Sequence, residues 1–73
     1  MTDTEIPTGP VDREPLGFPS REDSEHALRQ VLADAGVELG AHDETIVRWL
    51  QTWEWSTIAT IASWVQRAAQ NQR

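Results

Sequence analysis

Seventy-three residues allow one domain, and a chain this short buries a smaller share of its surface than a larger one does. Cysteine is absent, which removes disulfides and thiolate metal sites as staples and suits a reducing cytoplasm. The net charge of −6 divides unevenly: residues 1–44 hold eleven of the twelve acids against Arg13, Arg21 and Arg29, for −8, while residues 45–73 set Glu54 against Arg48, Arg67 and Arg73, for +2.

The chain opens on MTDTEIPTGP, acidic and interrupted by proline, without the basic start and apolar run of a secretory signal. No stretch approaches the roughly 20 apolar residues of a membrane span. A soluble, cytoplasmic protein is expected. Pro7, Pro10, Pro15 and Pro19 fall within residues 1–19, with Gly9 and Gly17. Proline removes a backbone donor and biases its predecessor away from helix. Few apolar residues offset the entropy of ordering, so the segment reads as a disordered acidic tail. Its last part, Leu16-Gly17-Phe18-Pro19, is more apolar and suited to folding back onto indole faces.

The remainder, residues 20–73, reads as an all-α, three-helix bundle. A first helix is predicted over about 21–35. Ser20 can accept a hydrogen bond from a first-turn N–H, and Asp23 three residues on approaches a capping box. Glu22, Asp23 and Glu25 favour the positive end of the helix dipole. Ala27, Leu28, Val31, Leu32 and Ala35 form an apolar stripe at helical spacing. Gly36 supplies a left-handed stop that Val37 closes. Residues 36–42 make a connection of ordinary length, with Leu39 plugging the end of the bundle.

A second helix is predicted over about 44–53, capped by Asp43, with Ile46, Val47, Leu50 and Trp53 inward and Trp49 on the flank. A third is predicted over about 57–70, capped by Ser56, with Ile58, Ile61, Ala62, Val65 and Ala69 inward. Thr57, Ile58, Thr60 and Ile61 are β-branched, but strict alternation fails and the i, i+3, i+4, i+7 spacing decides for helix.

Conventional site chemistry is not visible. His26 and His42 lack the short ligand spacings of a zinc site and are expected at the surface. The acids are accounted for by capping and the helix dipole, whereas an acid–base pair needs opposed environments in a pocket. Ser20, Ser24, Ser56 and Ser63 lack the setting of a nucleophile elbow, and no Gly-rich phosphate loop is present. No catalytic, cofactor-binding or metal-binding residue is nominated, and an enzyme is not expected.

The four tryptophans, Trp49, Trp53, Trp55 and Trp64, all fall within residues 49–64. Each can bury roughly 150–250 Å². Trp53 follows the inner stripe and is expected in the core. Trp55 beside the cap staples the turn, covers the bundle end or meets a partner. For Trp49 and Trp64 three placements are open: the rim of the core, cover by Leu16–Pro19, or an exposed interface with Arg48 and Arg67 at its rim.

The run DETIVRWLQTWEWSTIATIASWV, residues 43–65, resembles a segment of small Trp-rich proteins from actinobacteria and their phages, in which W-L…W-[DE]-[WY]-x-T-[VI]…[VI]-A-x-W-[VI] closes a short acidic chain. The resemblance covers about a third of the sequence. It implies a source of that kind and a compact helical end, and it brings no activity with it.

The leading expectation is a non-enzymatic protein-interaction or accessory module, docking on a protein partner or on a second copy. The alternative is a small helix-turn-helix-like DNA-binding regulator. Ile58-Ala59-Thr60-Ile61-Ala62 resembles the T-I-A-x-I-A runs in the first helix of many such motifs. A recognition helix follows there, but few residues follow Val65 here. Were the third helix itself the reader, Thr60, Ser63, Gln66, Arg67 and Gln70 would face the bases and phosphates. One or two arginines neutralise few phosphates, and the acidic half repels DNA. No membrane, cofactor or small-molecule substrate is expected.

Overall fold

A computed structural model describes residues 4–71. Among them are three helices and no strand: α1 (Arg21–Asp34), α2 (Ala41–Leu50) and α3 (Trp55–Asn71). The all-α, three-helix class expected from the sequence is the class observed.

α1 begins and ends as its local chemistry dictates. The Asp23 N–H donates to Ser20 Oγ over 3.1 Å. At the other end Gly36 has φ +80°, its N–H donates to the Ala33 carbonyl, and the Val37 N–H donates to the Leu32 carbonyl. These paired bonds are a Schellman stop, which satisfies carbonyls that a helix end otherwise orphans.

α2 starts earlier than expected. Gly40, not Asp43, is the cap; Asp43 lies at the third helical position, where its carboxylate accepts from the Gly40 N–H at 2.9 Å. Glycine has no side chain to offer, so only the returning half of a capping box is formed. α2 also stops earlier, at Leu50. The Thr52 hydroxyl donates to the Trp49 carbonyl over 2.7 Å, and the Thr52 and Trp53 N–H groups donate back to Trp49 and Leu50. This local competition ends the helix.

α3 begins at Trp55, two residues before its expected start, and the Glu54 carbonyl accepts from the Thr57 and Ile58 N–H groups. Ser56 is therefore inside the first turn and is not the cap. The buried residues of α3 are Trp55, Ile58, Ala59, Ala62 and Ser63. That is an i, i+3, i+4, i+7, i+8 stripe counted from Trp55. Ala59 and Ser63, outside the expected inward stripe, are fully buried, while Ile61 and Val65 are half-buried. The dry face lies roughly 70° around the helix from where it was expected.

α1 packs against both other helices, and α3 is its main partner. The core joins Leu28 and Val31 of α1, Val47 of α2, and Trp55, Ile58, Ala59 and Ala62 of α3. Leu39 and Leu50 pack on it in part, as does Ile6 from the N-terminal segment. Arg29 on α1 ties the helices electrostatically: its Nε donates to Glu25 and its Nη2 to Glu44 of α2, each over 2.7 Å.

Residues 4–20 contain no helix or strand, as expected for a proline-rich stretch. They nevertheless lie on the helices. Ser63 Oγ donates to the Pro7 carbonyl over 2.8 Å and accepts from Arg67 Nε over 3.1 Å. This segment is the cover that makes the Ser63 side of α3 an interior face.

Candidate functional site

The local structure around residues 46–55 exchanges the roles expected of two tryptophans. Trp55, inside the first turn of α3, is 5% exposed and belongs to the core. Of its three expected roles, burial leaves those of stapling the turn or covering the bundle end and not that of meeting a partner. Its Nε1–H is buried without a hydrogen-bond partner among the described residues. An unpaired buried donor costs about 1–3 kcal/mol, so the indole is held by its apolar area against that cost.

Trp53, expected in the core, is 48% exposed. Because α2 stops at Leu50, Trp53 leaves the helical path that would have carried it inward. It meets Trp49, itself 52% exposed, edge to face: the ring centroids are 5.4 Å apart and the planes are inclined at 74°. Aromatic pairs prefer this arrangement because the positive edge of one ring meets the negative face of the other. Ile46, one turn before Trp49, is also exposed. Ile46, Trp49 and Trp53 form an apolar ridge beside the Val47 and Leu50 face that packs inward. Arg48 is exposed on the same helix.

Trp64 is 59% exposed but sits elsewhere. It borders an open cleft of about 550 Å³ with Thr60 and Ile61 of α3 and Val11–Pro15 of the N-terminal segment. Trp53 borders a second cleft, of about 240 Å³, with residues 14–19 and the 51–56 turn. Glu14 and Pro15 line both. The structure therefore pairs Trp49 with Trp53 and places Trp64 beside the N-terminal segment. Leu16–Pro19 borders the Trp53 cleft, but its Leu16 and Phe18 side chains turn outward and are 88% and 97% exposed.

The polar residues expected to read bases do not form an open face. Ser63 is buried beneath Pro7. The Thr60 hydroxyl donates to the Ser56 carbonyl over 2.7 Å. Arg67, expected to bind a partner or phosphate, is half-buried and donates to Ser63. Gln66 is half-buried, and Gln70 is exposed.

His26 and His42 are exposed, on different helices. Among the described residues, no three His, Cys, Asp or Glu side chains gather as a metal site. No described helix is long and apolar enough to cross a membrane. No protein-family model matches the chain, and neither the curated proteins nor the solved structures provide a match.

Proposed function

We propose that the chain is a non-enzymatic protein-interaction or accessory module that docks through the ridge of Ile46, Trp49 and Trp53. The observation that carries this reading is the half-exposed, edge-to-face Trp49–Trp53 pair. Two indoles locked against each other present a large apolar area at little cost in side-chain freedom. Tryptophan and arginine dominate interface hot spots when a partner dries them. Arg48 supplies the polar rim, and Trp64 forms a separate apolar position beside the N-terminal segment. A second copy is one partner that would suit the ridge, since joining two small cores adds the buried area a short chain lacks.

The helix-turn-helix alternative has less support. Burial of Ser63 removes one of its five contact residues from solvent, and Arg67 is half-buried and hydrogen-bonded to Ser63.

The test compares the parent chain with Trp49→Ala and Trp53→Ala in sedimentation over micromolar concentrations and in capture of cellular partners. Either substitution is expected to abolish association while leaving the helical circular dichroism intact. Association that persists undiminished in both variants would refute the ridge as the docking surface.

A further inference from the structure

The dipeptide Leu-Gly occurs twice in the chain, at 16–17 and at 39–40, in opposite settings. Leu39 packs in part on the core. The Gly40 N–H donates to the Asp43 carboxylate over 2.9 Å, and the Gly40 carbonyl accepts from the Glu44 N–H over 3.0 Å. Leu16 is instead 88% exposed, and Phe18 is 97% exposed. Residues 14–20 carry neither turn nor bend, and residues 14–19 make no backbone-to-backbone hydrogen bond among the described residues. The two connections between helices differ in this respect. Gly36 and Val37 in one, and Thr52 and Trp53 in the other, donate backbone N–H groups to the preceding helix.

Endopeptidases bind their substrates as extended strands, so a bond inside a helix or a bonded turn is cut only after local unfolding. Residues 14–19 require none. The prolines then select the bond. Proline's ring nitrogen carries no N–H and is fixed in φ, which makes it a poor residue on the leaving side of a cut. Glu14–Pro15 and Phe18–Pro19 are thereby protected. Leu16–Gly17 offers an apolar side chain on the acyl side and no side chain on the leaving side.

We propose that Leu16–Gly17 is a processing site for an endopeptidase with an apolar primary pocket, and that the cut frees residues 1–16 from α3. Water adds to the Leu16 carbonyl carbon and the C–N bond to Gly17 breaks. Leu16 leaves as a carboxylate, and the proton from water goes to the Gly17 amine. The freed arm had contacts that include the Pro7–Ser63 hydrogen bond, the half-buried Ile6 and the Val11–Pro15 wall of the Trp64 cleft. In the whole chain the tether holds these groups at high effective concentration; after the cut, seating becomes bimolecular. Ser63 then loses its cover. Neither step involves the Trp49–Trp53 ridge.

The full-length chain is digested with a low ratio of chymotrypsin and followed by intact mass. The first products expected are residues 1–16 and 17–73, formed at least about tenfold faster than any cut within residues 21–71. Leu16→Asp, at an exposed position, should abolish that early cut and leave the helical circular dichroism unchanged. On gel filtration at micromolar concentration, the 1–16 piece should elute apart from 17–73. A first cut within residues 21–71, Leu39–Gly40 included, would overturn the processing site, as would an undiminished early cut in Leu16→Asp. Co-elution of the two pieces would overturn release of the arm.

Discussion

Trp53 and Trp55 are separated by one residue, yet one is half-exposed and the other buried. The difference arises from the end of one helix and the start of the next. Thr52 closes α2 through its hydroxyl, and α3 takes up Trp55 as its first residue. Removing the buried indole by Trp55→Ala should destabilise the fold by about 3–5 kcal/mol, the range for large core aromatics. Trp49→Ala, which removes a half-exposed ring, should cost about 1–2 kcal/mol. Urea unfolding followed by circular dichroism measures both. Equal losses would contradict the assignment of Trp55 to the core and Trp49 to the surface. Trp55→Phe should cost less than Trp55→Ala, because it keeps most of the apolar area and deletes the unpaired N–H.

Between elements, the join most sensitive to solution conditions is that between α1 and α2. It has few shared core residues, and Arg29 bridges it to Glu44. The hydrogen bond from Arg29 is the first cause that holds the Glu44 carboxyl below its usual range; desolvation opposes it, and the charges of Arg29 and Arg48 add to it. The same contacts raise Arg29, which stays protonated at any ordinary pH. A depressed folded value means the bridge stabilises the fold above the ordinary carboxylate pKa. That contribution is lost as pH falls through the folded value. Stability should therefore decline below about pH 4.3 more steeply in the parent chain than in Glu44→Gln. Thermal unfolding across an acid pH series checks the difference. Identical pH profiles would show that the bridge, about one-third exposed, is screened to insignificance.

At the scale of the whole molecule, the N-terminal segment decides which surface of α3 is available. Ser63 is covered, Arg67 is the one basic residue of α3 among the described residues, and the acidic half adds repulsion. Mixed duplex DNA titrated at two salt concentrations should show no salt-sensitive binding, even at the lower one. Salt-sensitive binding would mean that α3 presents its polar side with the arm displaced. Of the site expected from sequence, Trp49 is found at an exposed apolar ridge, and Arg48 is exposed on the same helix. Trp53 and Ile46 join Trp49 there in place of Trp55. The ridge was legible in part: a threonine just past Leu50, ahead of two closely spaced tryptophans, is the local signal that α2 ends early. The α3 stripe was not: the spacing set Ile58, Ile61, Ala62, Val65 and Ala69 inward, whereas Trp55, Ile58, Ala59, Ala62 and Ser63 are the buried residues.

Sequence alone determined what depends on neighbours within about a turn of chain: three helices, the Ser20 cap, the Gly36 stop, the inward stripe of α1 and the irregular N-terminal stretch. Only the tertiary structure decided which side of α3 is dry, because its cover is Pro7, 56 positions from Ser63. A helix stripe with alanine and serine on one side and isoleucine on the other is close to balanced. The side that a distant segment shields from water becomes the interior, and no local spacing records where that segment will lie.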